Sequence, residues 1–253
     1  MKKYLIALYG LLAYGIFLIA FLYMIGFLAN STVSRTIDSN ASNSPAQAVL
    51  INLSLIALFG IAHSVMARSW FKAWWMRIIP QAAERSTYVL QAALLLLLIT
   101  RQWQALPTSL WSIENGTGRL VIWGIFWLGH VITLVSTFLI NHFELTGLQQ
   151  IWHNLRDQEP PPMAMKQPFL YRIVRHPMQL GLVIGFWATP DMTVGHLLFA
   201  AAMTSYILIG LHFEERALVR QFGDAYRQYQ KTTPKLFPSF RLQQSFSHLN
   251  LEG

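Results

Sequence analysis

Long apolar segments constrain this chain more than any other feature of its sequence. The first, Tyr4–Leu28, is a run of 25 residues without a charged side chain. About 20 apolar residues in a helix cross the hydrocarbon core of a bilayer. Only 12% of the 253 residues are charged, against about 25% in a typical soluble domain. The sequence therefore predicts an all-α fold, a polytopic bundle of transmembrane helices.

Five further apolar segments follow the first. They are Val49–Ala67, Ser86–Thr100, Leu120–Ile140, Met178–Thr189 and Val194–Leu211. The last two are separated by the turn-forming pair Pro190-Asp191, which predicts a C-terminal helical hairpin. The first arm of that hairpin is too short to span the bilayer fully, so we expect five to six membrane helices.

The distribution of positive charge predicts the orientation of the chain. All Lys and Arg residues except Arg35, Arg101 and Arg119 fall on the same side of the membrane as the N-terminus. Because loops rich in Lys and Arg stay in the cytosol, we expect both termini there, in a bacterial inner membrane. The net charge of +8 then indicates contact with membrane lipids and not with nucleic acid.

The sequence contains no cysteine, which excludes disulfides, a catalytic thiol and metal sites with Cys ligands. Its histidines lack the spacing of a dedicated metal site, so no metal is expected. The most informative polar residues flank the hairpin. Because a hairpin returns its end to its beginning, Arg175 and His176 should lie beside Glu214 and Glu215. Such groups often form simple surface ion pairs, so the spacing of the larger set decides the interpretation.

That larger set is an ordered motif around the hairpin. It comprises Arg175-His176-Pro177, Gly181, Trp187, Pro190, Glu214-Glu215, Phe222-Gly223, Tyr226, Tyr229 and Pro234. The motif resembles the isoprenylcysteine carboxyl methyltransferase superfamily over residues 171–238, although Gln179 stands where an aromatic residue is usual. The segments Ala62–Arg68 and Asn141–Gln150 are similar to the bacterial branch that includes methanethiol S-methyltransferases and the denitrification-associated NnrU-type proteins.

The resemblance implies a membrane enzyme that uses S-adenosylmethionine from the cytosol. It implies cofactor binding by Tyr171, Arg175, His176, Pro177, Glu214 and Glu215. Further cofactor-binding residues are expected at Gln150, His153, Val174, Tyr226, Arg227 and Tyr229. Glutamates suit the ammonium and ribose of the cofactor, the backbone near Val174 offers donors, the tyrosines close the pocket, and Arg227 suits the carboxylate.

The reaction implied is direct methyl transfer to a small thiol, with methanethiol giving dimethyl sulfide as the favoured case. A thiol is mostly protonated at neutral pH, so it needs a base or a stabilising cation. The candidates for this catalytic role are His63, Arg68, His142 and His176. Ionisable residues within a membrane are functional hypotheses by default, whereas a lone intramembrane His is often an interhelical hydrogen-bond partner.

Two alternatives remain at this point. One is a lipid or prenylcysteine methyltransferase of the same superfamily. The other is a non-enzymatic haem-binding or transport protein, for which His63 and His130 are the possible mid-membrane pair. The expected regions are an N-terminal four-helix membrane region (1–141), a region with the cofactor-binding loop, the hairpin and a cytosolic segment (142–241), and a tail (242–253). The oligomeric state is left open.

Overall fold

The structure, a computed structural model, describes residues 1–39, 43–159, 161 and 164–238. The predicted tail, residues 242–253, lies outside this part. The described residues form eleven helices and two short strands: α1 (Lys2–Leu28), α2 (Pro45–Met66), α3 (Ser69–Trp75), α4 (Gln81–Gln102), β1 (Ser109–Ser112), α5 (Gly116–Ile140), α6 (His142–Thr146), α7 (Leu148–Leu155), α8 (Leu170–Ile173), α9 (Pro177–Trp187), β2 (Asp191–Thr193), α10 (Val194–Phe222) and α11 (Asp224–Thr232). Helices α1, α2, α4, α5 and α10 are long and apolar enough to cross a membrane. The predicted all-α polytopic bundle is confirmed.

Polar caps extend the helices beyond their apolar segments. Helix α2 starts at Pro45 because Ser44 and Gln47 form a capping box, in which each side chain bonds the backbone of the other. Helix α5 starts at Gly116, where the side chain of Asn115 accepts a hydrogen bond from the amide of Gly118 at 3.0 Å. Apolar runs alone therefore underestimate both helices at their first turns.

The hairpin arms differ greatly in length. Helix α9 has 11 residues and is about 16 Å long at roughly 1.5 Å per residue, about half the thickness of a bilayer core. Helix α10 has 29 residues, a length of about 43 Å by the same rule. It continues 11 residues past the apolar run that ends at Leu211, because residues 212–222 contain neither Gly nor Pro. It stops at Gly223, whose φ is 57°.

The connection between α9 and α10 was predicted as a simple turn. It contains strand β2 instead, which pairs in antiparallel fashion with β1 from the α4–α5 connection. The carboxylate of Asp191 in β2 accepts two hydrogen bonds from the guanidinium of Arg119, at 2.7 and 2.8 Å, and one from the hydroxyl of Ser112 at 2.7 Å. This ladder ties the hairpin turn to the start of α5.

Glycines bring α5 and α9 into close contact. A Cβ atom on Gly181 would overlap the carbonyl of Gly129 and the side chain of Thr133. One on Gly185 would lie 2.7 Å from the ring of His130. Small residues at spacing of four let membrane helices approach closely. This contact fixes α9, whose N-terminal end carries His176 and Pro177.

The connections cluster at two ends of the bundle. At one end the hydroxyl of Thr193 bonds Asp38 at 2.6 Å and the side chain of Asn52 bonds the carbonyl of Gln104 at 2.8 Å. The other end carries α3, α6, α7, α8 and α11. Large fully buried side chains, among them Phe27, Phe126 and Phe199, fill the interior between them. The predicted site residues lie toward the second end.

Candidate active site

A buried ion pair joins the two arms of the hairpin. The segment between α8 and α9 places Arg175 and His176 against Glu215 of α10. The guanidinium of Arg175 lies 2.6 and 2.7 Å from Oε1 of Glu215, and Nε2 of His176 lies 3.2 Å from the same oxygen. The side chains of Arg175 and Glu215 are only 8% and 11% exposed. The predicted proximity of the two arms is thus present, and it is more buried than a surface ion pair.

The segment after α11 completes this cluster. Nη1 of Arg175 donates to the backbone carbonyls of Gln230, at 3.1 Å, and Thr233. The amides of Arg175 and His176 donate to the carbonyls of Pro234 and Lys235, at 2.9 and 3.2 Å. Nζ of Lys235 lies 3.6 Å from Oε2 of Glu215. Every guanidinium nitrogen of Arg175 therefore has a protein partner. These contacts hold residues 230–235 against the start of α9.

Three tyrosines lie beneath the cluster, and all are buried. The hydroxyl of Tyr229 donates to the carbonyl of Tyr171 at 2.5 Å, and the hydroxyl of Tyr171 donates to the carbonyl of Ser136 at 3.3 Å. Burial raises the pKa of Tyr229 to about 12 and raises the pKa of both Tyr171 and Tyr226. All three therefore stay protonated near neutrality. The hydroxyl of Tyr226 is buried without a hydrogen-bond partner in the described chain, which makes it available to a ligand.

Glu214 differs from its neighbour Glu215. Its side chain is exposed, yet it interacts electrostatically with His176, Arg85 and Lys235, which belong to three other parts of the chain. We call the region that Glu214 shares with His176, Arg85 and Lys235 the recess. Glu214 is the carboxylate of this recess that has no strong ion pair among the described residues.

One wall of the recess was not expected from the sequence. Arg85 of α4 donates from Nε to the carbonyl of Leu145 at 2.8 Å, and its guanidinium lies 5.1 Å from the ring centre of Tyr88. The hydroxyl of Tyr88 lies 2.6 Å from Nε2 of His63. Arg85 precedes the third apolar run, and Tyr88 follows one turn later on the same helix face. That spacing was the available signal for a polar wall.

The remaining predicted catalytic residues are dispersed. The guanidinium of Arg68 lies 4.5 Å from the ring centre of Phe213. Both ring nitrogens of the buried His142 are hydrogen-bonded, one to Thr137 and one to Tyr14, each at 2.9 Å. Burial lowers the pKa of His142, so its ring is neutral near pH 7. The structure brings His176 to the recess, bonds His63 to Tyr88 next to it, and leaves His142 fully engaged in packing.

The other predicted cofactor residues fall into two groups. Gln150 and His153 lie one turn apart on α7, and each has a buried polar atom, Oε1 and Nδ1, without a partner in the described chain. Val174 and Pro177 are buried beside the ion pair. Arg227 is exposed and binds Asp224 at 2.7 Å, so the structure does not bring it to the cluster.

His130, the possible haem-ligand partner of His63, is engaged within its own helix. Its Nδ1 lies 2.9 Å from the carbonyl of Phe126. Nε2 of His63 is occupied by the hydroxyl of Tyr88. The two rings therefore face different partners. Among the described residues, no group of three His, Cys, Asp or Glu side chains has the arrangement of a metal site.

Known proteins are similar to this chain over almost its whole length. A methanethiol S-methyltransferase of Mycobacterium tuberculosis is 48% identical over 94% of this chain and 98% of its own. Methanethiol S-methyltransferase 1 of Bradyrhizobium diazoefficiens is also 48% identical, over 93% and 83%. The chain belongs to the methanethiol S-methyltransferase family. Nurim of Sus scrofa is 31% identical over 62% of both chains.

Membership of the methanethiol S-methyltransferase family makes this chain a membrane methyltransferase. A second match agrees with that conclusion, since residues 119–225 fit the family described as phospholipid methyltransferase. Those residues run from the first turn of α5 into α11, and they include Arg175, His176, Glu214 and Glu215. No solved structure matches the chain.

Proposed function

We propose that this protein transfers a methyl group from S-adenosylmethionine to methanethiol and releases dimethyl sulfide. The observation that carries the proposal is the exposed carboxylate of Glu214, set in a recess beside the Arg175–Glu215 pair. The recess belongs to a chain whose family members are named for methanethiol methylation. Thiol methylation needs a cofactor site with acidic and donor groups next to an apolar interior, and this end of the bundle offers both.

The residues at the recess fit S-adenosylmethionine. The cofactor has an ammonium, two ribose hydroxyls and an adenine, which need acceptors and donors. Glu214 is an acceptor without a strong ion pair, and Tyr226 Oη, Gln150 Oε1 and His153 Nδ1 are buried polar atoms without partners in the described chain. Buried polar groups are normally hydrogen-bonded, so Tyr226 would hold the cofactor together with the exposed Glu214, and Gln150 and His153 of α7 are further candidates. When bound, S-adenosylmethionine supplies an electrophilic methyl group on its sulfonium.

The ion pair has a different task from Glu214. Because Glu215 and two backbone carbonyls occupy the guanidinium of Arg175, we assign Arg175 and Glu215 to positioning. They hold residues 230–235 across the recess and orient His176, whose Nε2 faces Glu215. Glu214 then remains as the carboxylate that binds a cationic or hydroxyl-bearing ligand. The apolar interior of the bundle next to the recess would limit the access of water to the methyl group and the thiol, as transfer to a thiol requires.

The proposal includes an orientation with the recess on the cytosolic side of a bacterial inner membrane. It is supported by the Lys and Arg residues of α3, α8 and α11 and of the connections at this end of the bundle. The absence of cysteine allows a clean test with single cysteines and a membrane-impermeant maleimide on spheroplasts. Ser109→Cys, on β1, should be labelled before lysis and Lys231→Cys, on α11, only after it. The reverse pattern would contradict the orientation.

The activity test uses purified protein in detergent with S-adenosylmethionine and methanethiol, and headspace gas chromatography as the readout. The wild type should release dimethyl sulfide. Glu214→Gln should lose cofactor binding, measured by calorimetry, and with it the product. Glu114→Gln, at the opposite end of the bundle and exposed, is the matched control and should retain both.

Two results would contradict the proposal. Cofactor binding without methanethiol turnover, together with methylation of phosphatidylethanolamine or a prenylcysteine, would reject the acceptor. Absence of cofactor binding in folded wild-type protein would reject S-adenosylmethionine as the donor.

A further inference from the structure

A hydrogen-bonded pair of side chains joins α2 to α4. Tyr88 of α4 and His63 of α2 approach to 2.6 Å between Oη and Nε2. The ring of His63 stacks on Phe59, with centroids 5.3 Å apart, and meets the ring of Tyr206 edge-on at 6.3 Å. We call the four residues Phe59, His63, Tyr88 and Tyr206 the aromatic cluster.

The aromatic cluster adjoins the recess, since Tyr88 and Tyr206 both interact electrostatically with Glu214. Tyr88 is partly exposed. The charged groups that interact electrostatically with its hydroxyl are Arg85 and Glu84 of its own helix and Glu214 of α10. Tyr206 also interacts electrostatically with Tyr88. The hydroxyl of Tyr206 forms a hydrogen bond with the side chain of Ser64. Tyr88 therefore bonds His63 through its hydroxyl and has Arg85 and Glu214 as charged neighbours.

A purely structural role is the simplest alternative, and other pairs in this bundle show what such a role looks like. The hydroxyl of Tyr9 donates a hydrogen bond to the hydroxyl of Thr87 at 2.8 Å, which links α1 to α4. His142 has both ring nitrogens hydrogen-bonded. His63 differs, because its Nδ1 is buried without a partner in the described chain. Tyr88 differs from Tyr9 because a guanidinium and a carboxylate lie beside it.

These contrasts point to proton transfer. When the proton of the neutral imidazole of His63 is on Nδ1, its Nε2 is unprotonated and can accept a proton from the hydroxyl of Tyr88. The hydroxyl of Tyr88 can give that proton while it receives another from a molecule in the recess. The guanidinium of Arg85 lies 5.1 Å from the ring centre of Tyr88, close enough to stabilise an anion formed beside that ring.

We propose that Tyr88 and His63 form a proton relay that ionises the methyl acceptor, a small neutral thiol or selenol, beside Arg85. This inference rests on the proposed function. The S–H bond breaks and its proton passes to Oη of Tyr88, while the proton of Tyr88 passes to Nε2 of His63. The electron pair stays on sulfur, facing the guanidinium of Arg85, and this sulfur is the nucleophile. His63 returns the proton to solvent after the product leaves.

The test compares two acceptors that differ in acidity. Methanethiol is mostly protonated at neutral pH, and methaneselenol is mostly ionised. Removing a general base lowers a rate by about 10²–10⁴, so Tyr88→Phe and His63→Gln should lose at least 100-fold in kcat on methanethiol. Both variants should lose at least tenfold less on methaneselenol. Tyr9→Phe, which removes a comparable interhelical hydroxyl bond, is the matched control and should behave as the wild type on both acceptors.

Two measurements separate chemistry from structure. Calorimetry should show unchanged S-adenosylmethionine affinity in Tyr88→Phe and His63→Gln. Solid-state NMR of protein with nitrogen-isotope-labelled histidine, bound to S-adenosylhomocysteine, should show His63 becoming doubly protonated when methanethiol is added. The His63 signals are identified by their loss in His63→Gln, and Tyr88→Phe should abolish the change.

The outcomes are distinct. Equal losses on both acceptors, or loss of cofactor affinity together with rate, would show that the pair is structural and overturn the relay. Tyr88→Phe with the activity of Tyr9→Phe would also overturn it. A wild type that methylates neither acceptor would overturn the proposed function itself.

Discussion

Replacing Glu215 by Gln should release the C-terminal segment from the bundle. The substitution preserves the size of the side chain but removes its charge, which leaves Arg175 without its counterion at a site where the arginine side chain is 8% exposed. Removing one partner of a buried ion pair costs about 3–5 kcal/mol. The amide oxygen of Gln can still accept one hydrogen bond, so we expect a cost near the lower end, about 3 kcal/mol.

This cost should fall on local opening and not on the membrane helices. Arg175 holds the carbonyls of Gln230 and Thr233, and its backbone amide holds Pro234. Since about 1.4 kcal/mol corresponds to a factor of ten, a loss of about 3 kcal/mol raises the open population of residues 224–236 about 100-fold. Local openings of this kind are measured by amide hydrogen exchange.

The assay is hydrogen exchange with mass spectrometry on protein in lipid nanodiscs without added ligand. Asp224→Asn is the matched control, because it removes an ion pair to Arg227 whose side chains are 95% and 60% exposed. Exposed pairs contribute under about 1 kcal/mol. Peptides from residues 224–236 should exchange about 100-fold faster in Glu215→Gln and at nearly wild-type rates in Asp224→Asn. Equal exchange in both variants would refute the assignment of Arg175 and Glu215 to positioning.

Three further predictions concern packing and charge elsewhere. Gly181→Leu should overpack the α5–α9 contact and lower the free energy of unfolding by at least about 1–3 kcal/mol. Gly124→Leu, which has open space around its Cβ, should not. Equal melting temperatures of the two variants in detergent would count against the contact. Arg119 lowers the pKa of Asp191 below its ordinary value of 3.8, so the stabilisation is complete above that value and is lost as pH falls through the lower folded value. Asp191→Asn should accordingly be less stable than wild type at pH 7, by under about 1 kcal/mol, and the difference should vanish on acidification; a constant difference would exclude this origin. His142→Gln should lower the melting temperature while keeping most of the activity, because both ring nitrogens are used in packing; a large loss of kcat at unchanged stability would restore it as a catalytic candidate.

The sequence predicts the membrane helices well, because apolar side chains in a bilayer must be arranged as helices that satisfy their own backbone. Helix ends are less predictable, since they depend on caps and on helix-forming charged residues. The extension of α10 from Leu211 to Phe222 is the clearest case. Strands β1 and β2 were also not predicted. They are four and three residues long, and their pairing depends on where two connections meet in space.

The site was predictable where it depends on the hairpin. A hairpin places Arg175 and His176 beside Glu215 whatever the details of packing. The positions of Arg85 and Tyr88 were not predictable, because they depend on which face of α4 turns toward α10. Arg175 donates to the backbone carbonyls of Gln230 and Thr233. Because every residue has a backbone carbonyl, the sequence does not indicate which ones form such contacts. The exposed position of Arg227 follows from the rotation of α11, which directs Tyr226 and Tyr229 inward instead.

The fastening of residues 230–235 to the start of α9 also sets an order of events during biosynthesis. Each membrane helix can enter the bilayer as it leaves the ribosome, but Arg175 acquires its carbonyl partners only after Gln230 and Thr233 have been synthesised. The contacts that close this end of the bundle therefore depend on a part of the chain that follows the last of the five long helices.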